Sequence, residues 1–195
     1  VIGNVLQAAE AGYVARRASL RAGLPESVPA IAINRQCSSG LEAINFGAML
    51  VQTGEADIVV AGGAENMSQT PYFLNYTARF DGLRLGDANL EDGLVQGLGC
   101  PINRYHMGMT AENVAAQYEV SRSDQDQLAM ISQQRAVAAS QEGRFANQTV
   151  PVDVPHNGGD SLSITLDESP RPNTTFDKLS QLQPVFKKEG TVTAG

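Results

Sequence analysis

The sequence predicts an α/β fold with a parallel sheet, and three stretches in its first third indicate this. Residues 29–33 and 56–61 are short apolar runs of the kind that form buried parallel strands. Residues 39–53 between them are predicted to form a helix, and the order strand, helix, strand is a βαβ unit. With 195 residues, of which 42% are hydrophobic, the chain is long enough to fold around a core.

Two further elements precede this unit. Residues 1–6 are rich in β-branched side chains and predict a strand. Residues 13–21 predict a helix, which Gly23 and Pro25 are expected to end. Together with the βαβ unit, these elements make the first third of the chain α/β in character.

The helix of residues 39–53 is apolar on nearly every side, so we expect it to be buried. Small residues on one side, Ala43 and Gly47 among them, allow a neighbouring element to pack closely. The strand that follows, residues 56–61, is expected to end at Gly62-Gly63.

The pattern changes after Glu65. Residues 67–107 are Gly-rich and irregular, and so long an irregular stretch tends to carry function or contacts. Beyond it, Ser121 and Asp124 resemble a capping box at the start of a long helix, and Gly143 predicts its end. The remaining predicted elements are helices at residues 110–118, 123–142 and 175–182, and strands at residues 150–154 and 161–166 around a Gly158-Gly159 turn.

Composition excludes several classes of function. The formal net charge of −7 argues against nucleic acid or an anionic membrane as the main partner. No run approaches the roughly 18 apolar residues of a membrane helix, and no signal-peptide pattern opens the chain. The two cysteines are too few for a disulfide framework and predict a reducing, cytoplasmic location. The cysteines and histidines lie far apart, so no metal site is expected.

Residues 171–188 form a basic segment in this acidic chain. Four basic side chains and one acidic side chain give it a net charge of +3. A solvated face is the ordinary explanation, and the alternative is a docking site for phosphate groups. The charged residues are Arg171, Asp177, Lys178, Lys187 and Lys188.

Cys37 is the residue whose surroundings point most clearly to chemistry. It lies between a predicted strand and the long apolar helix, where the helix dipole favours a negatively charged sulfur. Backbone N–H groups at such a helix start are natural donors to an oxyanion. Residues 34–40 are polar, which favours a nucleophile over a buried structural thiol. Cys100 is not favoured as a catalytic group. His106 or His156 could serve as a base, and the sequence alone places neither beside Cys37.

Four motifs carry a family resemblance. Residues 34–44, Asn-Arg-Gln-Cys-Ser-Ser-Gly-Leu-Glu-Ala-Ile, strongly resemble the nucleophile segment of thiolases. Residues 61–68, Ala-Gly-Gly-Ala-Glu-Asn-Met-Ser, resemble the strand and turn that follow it. Residues 105–115 and 189–195 are similar to two further thiolase signatures, Tyr-His-Met-Gly-Met-Thr-Ala-Glu-Asn-Val-Ala and Glu-Gly-Thr-Val-Thr-Ala-Gly. The motifs follow in family order over essentially the whole chain.

The resemblance implies a thiolase-like fold. Residues 1–66 would be an incomplete N-terminal αβα core that carries the nucleophile. Residues 67–195 would be an inserted α+β loop domain that covers CoA and supplies contacts for a homotetramer, a dimer of dimers. Residues 76–86, with Arg79 and Arg84, resemble the loop through which dimers pair into tetramers.

The resemblance also implies an activity. Cys37 matches the nucleophile of a reversible Claisen condensation, in which two acetyl-CoA give acetoacetyl-CoA and CoA through an acyl-cysteine thioester. Thiolysis of acetoacetyl-CoA is the reverse reaction. The CoA thioesters would be substrates, and no separate cofactor is expected.

Further site residues are implied by matching positions. His106 and Met107 match a His-Met pair of the short-chain, acetoacetyl-CoA type, in which the Met helps bound a small acyl pocket. Arg171 matches a CoA-contacting arginine, whereas Lys178 stands where many relatives have Ser. The other positions implied to line the nucleotide or pantetheine path are Leu182, Val185, Phe186 and Ala194.

The family's activating His, its Asn-Glu-Ala-Phe motif and its second catalytic Cys do not occur in these residues. With the abrupt ends at Val1 and Gly195, this predicts a part of a longer enzyme that is inactive alone. Three alternatives stay open: a longer-chain 3-ketoacyl-CoA thiolase, a non-catalytic thiolase-like protein that binds acyl-CoA or lipid, and a ketosynthase-like condensing enzyme. The intact Cys37 argues against the second, and the His106-Met107 pair against the first and third.

Overall fold

The structure is a computed structural model that describes residues 1–7, 12–83, 85–156 and 159–195. The chain divides into two compact units, Val1–Pro101 and Ile102–Gly195. The domain boundary that the resemblance implies between residues 66 and 67 stays a prediction. Within the described ranges, no helix combines the length and apolar character needed to cross a membrane.

A parallel three-stranded sheet with the order β2-β1-β3 organises the first unit. Ile2 lies opposite Ala32 on one side and Gly62 on the other, so β1 is the central strand. This arrangement confirms the predicted α/β fold with a parallel sheet. Its elements are β1 (Ile2–Gly3), α1 (Val14–Arg21), β2 (Ala32–Ile33), α2 (Ser39–Gln52) and β3 (Gly62–Gly63).

The third strand lies later in the sequence than predicted. Residues 56–61 were expected to form a buried strand that ends at Gly62-Gly63, but the ladder is formed by these two glycines themselves. Ile58 and Val60 are 86% and 70% exposed, so the predicted burial of this run is also wrong. The reason is that β1 is only two residues long, and on the β3 side its register places Ile2 opposite Gly62 and Gly3 opposite Gly63, so the ladder does not extend back to residues 56–61.

Helix α2 is buried on one side only. Ser39, Ala43 and Gly47 are its buried residues, and their four-residue spacing places them on one face. A Cβ at Gly47 would lie 3.0 Å from a Val59 methyl, so this face packs closely beside the sheet. Leu41 is 63% exposed, so the prediction of a helix buried all round is wrong here. An apolar helix is buried only where another element packs on it, and the described elements leave its large side chains uncovered.

Residues 67–101 contain more regular structure than predicted. Two short strands pair antiparallel, with Tyr72 opposite Asp92. The Asp92 carboxylate accepts the Leu94 N–H at 2.8 Å and so caps the helix that follows. The elements are a 3₁₀ turn (Met67–Gln69), β4 (Tyr72–Leu74), α3 (Thr77–Phe80), β5 (Leu90–Asp92) and α4 (Gly93–Gly97). Arg84 of the predicted tetramer loop lies outside the described residues.

The second unit contains the predicted helices and an antiparallel strand pair. The Ser121 hydroxyl accepts the Asp124 N–H at 3.1 Å, which confirms the predicted helix start. Gly143 has φ +67, as expected for the residue that ends this helix. Gly158 of the predicted turn lies outside the described residues. The elements are α5 (Met107–Gln117), α6 (Arg122–Gln141), β6 (Val152–Pro155), β7 (Ser161–Ile164) and α7 (Phe176–Ser180).

Candidate active site

Cys37 lies in the turn between β2 and α2, one residue before the helix N-cap Ser38, and it is exposed. The turn is sharp, because Gln36 has φ +51, a value that few residues with a side chain adopt. The Asn34 Oδ1 accepts the Gln36 N–H at 3.0 Å and stabilises this conformation as an Asx turn. The thiol is therefore presented at the positive end of a 14-residue helix.

The buried side chain of Ser39 closes the same turn. Its hydroxyl accepts the Arg35 N–H at 2.8 Å and donates to the Gln36 carbonyl at 2.6 Å. The N–H groups of Ser38 and Ser39 donate to the carbonyls of Arg35 and Gln36, at 3.2 and 2.9 Å. The Cys37 N–H lies within this turn at the start of α2, where backbone N–H groups are natural donors, and it is a candidate donor to an oxyanion.

A pocket of about 410 Å³ opens beside Cys37, and residues of the first unit line it. Gly3 and Gly40 line the pocket together with Cys37. A Cβ at Gly3 would lie 2.4 Å from the Ser39 carbonyl carbon, so the glycine is what allows α2 to start directly against β1. Leu94 of α4 contributes an apolar wall. The pocket therefore offers an exposed nucleophile beside an apolar surface.

Asn4 and Glu65 hold the pocket wall that follows β1. The Asn4 amide donates to the Ala64 carbonyl at 2.9 Å and to a Glu65 carboxylate oxygen at 2.8 Å. The Glu65 carboxylate also accepts the N–H groups of Val5 and Leu6, at 2.8 and 3.3 Å. One carboxylate thus ties the residues after β1 to the loop after β3. This pair was not predicted from the sequence, although Glu65 lies in one of the four motifs.

His106 is the N-cap of α5 in the second unit. Its Nδ1 accepts the Gly108 N–H at 3.0 Å. Its ring stacks on Phe186, with ring centroids 4.9 Å apart and an interplanar angle of 17°. Met107, the next residue, is half exposed. The structure therefore brings together the predicted site residues His106 and Phe186.

The remaining predicted residues lie along residues 171–195. The Arg171 N–H donates to the Gln133 side-chain oxygen at 2.7 Å, which ties this residue to α6. The Lys178 ammonium donates to the Asn173 carbonyl at 2.8 Å, so its charge is held close to α7. The other predicted residues here are all exposed: Leu182, Val185 and Ala194.

Arg122, at the start of α6, binds the end of α7. Its Nε donates to both carboxylate oxygens of the buried Asp126 at 2.9 Å. Its terminal nitrogen donates to the carbonyls of Leu179 and Leu182, at 2.7 and 2.9 Å. The predicted site residue Leu182 is therefore held through its backbone by a side chain that was not predicted from the sequence.

Glu112, in the middle of α5, is a second residue that was not predicted from the sequence. It is buried, and its carboxylate accepts the Thr191 N–H at 3.0 Å and the Val192 N–H at 2.8 Å. Burial acts to raise the pKa of the Glu112 carboxyl, but these N–H groups and the nearby Lys187 ammonium outweigh burial and lower the pKa below its usual value. The sequence feature that could have indicated Glu112 is its position in the motif of residues 105–115, since its partners Thr191 and Val192 lie in the motif of residues 189–195.

The predicted residues thus fall into two sets, with Cys37 in the first unit and all the others in the second. In the part of the chain that the structure describes, no cluster of three or more His, Cys, Asp or Glu side chains could hold a metal ion. What the first unit supports chemically is nucleophilic attack by an exposed thiol, with a backbone N–H beside it.

Comparison with known sequences gives consistent matches. The family model described as "Thiolase, N-terminal domain" matches residues 1–195. A probable acetyl-CoA acyltransferase of Staphylococcus aureus strain COL is 50% identical over 196 residues, which cover 100% of this chain and 49% of that protein. A probable acetyl-CoA acyltransferase of Staphylococcus epidermidis is 49% identical with the same coverage. The chain spans about half the length of the curated relatives it matches.

Solved structures share the fold. The acetyl-CoA acetyltransferase of Bacillus anthracis superposes with a TM-score of 0.93 at 40% identity, over 99% of this chain and 48% of that one. Human mitochondrial 3-ketoacyl-CoA thiolase superposes with a TM-score of 0.92 at 44% identity, over 100% of this chain and 49% of that one. The structure of the same human protein in complex with CoA superposes with a TM-score of 0.90 at 43% identity, over 100% of this chain and 48% of that one. The thiolase-like fold expected from the motifs is therefore confirmed.

Proposed function

Because the chain belongs to the thiolase family, we propose that the protein carrying it transfers acyl groups between CoA thioesters, with Cys37 as the nucleophile. The observation that carries this proposal is the position of Cys37, exposed at the start of α2 and at the edge of a pocket of about 410 Å³. An exposed thiol beside a pocket is accessible to the carbonyl carbon of a bound thioester.

The proposed reaction proceeds through a thioester on Cys37. The thiolate attacks the carbonyl carbon of acetyl-CoA, the bond from that carbon to the CoA sulfur breaks, and CoA leaves as a thiol after taking up a proton. The methyl carbon of a second acetyl-CoA then loses a proton and attacks the acyl-cysteine, which releases acetoacetyl-CoA and regenerates Cys37. Thiolysis runs these steps in reverse. The Cys37 N–H would stabilise the oxyanion.

The proton transfers are assigned to neither His106 nor His156. The chain covers about half of its relatives, and the resemblance assigns these steps to a His and a second Cys that these residues do not include. We therefore expect the 195 residues alone to form no acetoacetyl-CoA. An ordinary thiolase rate from the isolated polypeptide would contradict this expectation.

CoA is proposed to lie along the basic segment of the second unit. Among the described residues, no carboxylate forms an ion pair with Arg171, so its guanidinium is available for phosphate groups. Lys178 adds a second positive charge to this segment. Leu182, Val185, Phe186 and Ala194 would contact the nucleotide or pantetheine. The solved relative in complex with CoA supports CoA as the ligand. The CoA thioesters are substrates, and no further cofactor is proposed.

Acetyl-CoA is the proposed acyl donor. The His106-Met107 pair supports a small acyl group, and the similar structure from Bacillus anthracis is an acetyl-CoA acetyltransferase. A longer-chain 3-ketoacyl-CoA thiolase is the second candidate, because the human 3-ketoacyl-CoA thiolase matches at 44% identity with a TM-score of 0.92. The ratio of kcat/KM for acetoacetyl-CoA to that for a longer-chain 3-ketoacyl-CoA separates the two candidates.

A homotetramer is proposed for the full-length protein, with a second copy of the chain as the partner. The loop of residues 76–86 exposes large apolar side chains. Among them, Tyr76 is 75% exposed, Phe80 is 80% exposed and Leu85 is fully exposed. Such a concentration of exposed apolar surface is typical of an interaction site. A cytoplasmic location stays a prediction from composition.

Labelled acetyl-CoA tests the role of Cys37 in the full-length protein. Wild type and the control Cys100→Ser are expected to retain label after denaturation, whereas Cys37→Ser should retain almost none. Mass spectrometry of the peptide that contains residue 37 locates the acyl group. Retention of label by Cys37→Ser at the wild-type level would overturn the assignment.

A further inference from the structure

Residues 190–195 of the second unit are held by a buried carboxylate. Glu112 is 5% exposed, and both of its oxygens lie 3.0 Å from the Thr191 nitrogen. The next N–H, that of Val192, donates to the same carboxylate at 2.8 Å. These bonds join positions about 80 residues apart in the sequence, so they are tertiary contacts and not part of a local turn.

The approach of the two segments is unusually close. A Cβ at Gly190 would lie 2.1 Å from a Glu112 carboxylate oxygen, so a larger residue would displace the carboxylate. The Gln125 side-chain amide donates to the Thr191 hydroxyl at 3.0 Å and adds a second attachment from α6. Two helices therefore supply polar side chains that hold the same residue of the segment.

The attachment point is the base of a loop that contains proposed CoA-contacting residues. The Val185 N–H donates to the Val192 carbonyl at 3.0 Å, which closes residues 185–192 into a loop. Glu112 binds one side of this closure, Phe186 lies within the loop, and Ala194 follows it. Displacement of the carboxylate would therefore loosen the loop at Thr191 and Val192, the end that Glu112 binds.

We infer that Glu112 is a positioning residue, whose carboxylate holds residues 185–194 in the conformation that receives the pantetheine part of a CoA thioester. This inference rests on the proposed function, and it goes beyond it by assigning a role to a residue that does not touch the substrate. A segment held in its binding conformation loses less conformational freedom when the ligand binds. The role of Glu112 should therefore appear in the affinity for CoA thioesters and not in the acyl-transfer step.

The test compares Glu112→Gln and Glu112→Asp in the full-length protein. Gln has nearly the same shape as Glu, but its amide NH₂ would face N–H donors and only its oxygen can accept. Asp keeps the charge and is shorter by one methylene. We expect Glu112→Gln to raise KM for the CoA thioester and Kd for CoA about tenfold, as expected for the loss of a charged hydrogen bond. The expected change in kcat is less than about twofold. The KM and Kd of Glu112→Asp should lie between those of wild type and Glu112→Gln.

Amide hydrogen exchange gives a readout that does not depend on activity. Exchange at Thr191 and Val192 should become faster in Glu112→Gln and stay unchanged in the exposed control Glu142→Gln. If Glu112→Gln does not fold, Gln125→Ala is the second variant. It removes the side-chain bonds to the Thr191 hydroxyl and the Val120 carbonyl, keeps the Glu112 carboxylate, and should raise Kd for CoA in the same direction by a smaller factor.

The outcomes separate the inference from the proposed function. Faster exchange with unchanged KM and Kd would show a purely structural anchor and overturn the inference. A fall in kcat at unchanged KM would also overturn it. Wild-type protein that neither binds CoA nor uses a CoA thioester would overturn the proposed function together with this inference. Binding of CoA by wild type, with the same Kd in every variant, would overturn the role of Glu112 alone.

Discussion

The two units hold their candidate residues in different ways. In the first, Cys37 is positioned by a strand that turns directly into a helix. The bonds within the turn reach no more than four residues, and one further bond, from the Asn34 amide to the Val5 carbonyl at 3.1 Å, ties the turn to the residues after β1. In the second, the segment proposed to bind CoA is held by side chains such as Arg122 and Glu112 from distant helices. A nucleophile at a strand–helix junction can thus be specified locally, whereas an extended binding segment depends on long-range polar anchors.

This difference predicts different sensitivities. The first unit should be most sensitive to added volume at Gly3, where backbone meets backbone, because the close approaches at Gly108 and Gly190 in the second unit are to side chains. The second should be most sensitive to the loss of charge, because buried ionised side chains hold its binding segment. The substitutions below test this contrast in order of decreasing expected effect.

Arg122→Met should cause the largest loss of stability. It leaves the Asp126 carboxylate, 5% exposed, without its partner and removes the donor to the Leu179 and Leu182 carbonyls. We expect the free energy of unfolding to fall by about 3 kcal/mol, as for other broken buried ion pairs. The control Arg144→Met breaks an ion pair whose side chains are 66% and 54% exposed, and should cost about 0–1 kcal/mol. Urea unfolding measures both, and equal losses would contradict the proposed anchor.

Gly3→Ala should have the next largest effect. The added Cβ would lie 2.4 Å from the Ser39 carbonyl carbon, and backbone cannot move aside as a flexible side chain can. We expect a loss of about 2 kcal/mol, typical of overpacking. Gly62→Ala is the control in the neighbouring strand, because a Cβ there meets no atom within 4 Å. If both variants unfold at the same denaturant concentration, close approach of β1 and α2 does not limit stability.

Ser39→Ala tests the turn that carries Cys37. It leaves the Arg35 N–H and the Gln36 carbonyl without the Ser39 hydroxyl, at a cost of about 1 kcal/mol. We also expect slower alkylation of Cys37 by iodoacetamide, measured in a Cys100→Ser background, because the thiol is held less firmly at the helix start. Ser38→Ala is the control, since the Ser38 side chain makes no capping hydrogen bond. Equal alkylation rates in both variants would argue against this role of Ser39.

Acidification should weaken the Glu112 anchor, and as the titration of one group this is the smallest effect. Because the folded state lowers the pKa of Glu112, the unfolded state binds more protons at acidic pH. The stability that this carboxylate contributes is present above the unfolded pKa and is lost as the pH falls through the folded pKa. The stability difference between wild type and Glu112→Gln should therefore shrink on acidification, as denaturant unfolding at several pH values can show. A difference that stays constant with pH would contradict the ionised anchor.

Much of the local structure could be predicted from the sequence. The Ser121 cap and Gly143 end of α6 follow from the chemistry of helix termini, and both are observed. The third strand was placed too early, because Ile58 and Val60 have strand-like composition although the ladder forms at the glycines that follow. Amino-acid composition indicates that a segment is able to form a strand, whereas the residues that pair are decided by the position of the adjacent strand.

The candidate site shows the same division. The polar residues around Cys37 are enough to indicate a nucleophile, and the structure places this thiol exposed beside a pocket. The anchors Glu112 and Arg122 were not predicted. A glutamate on a helix with many small residues has the same sequence pattern whether it faces solvent or two backbone N–H groups.

By itself, the sequence determined the family, the parallel α/β character of the first third and Cys37 as the candidate nucleophile. These depend on short-range patterns: apolar runs, helix caps and a polar motif around one cysteine. Only the tertiary structure decided which side of α2 is buried, and which side chains hold the segment proposed to bind CoA. Burial and long-range hydrogen bonds depend on which segments meet in space, and local sequence patterns do not contain that information.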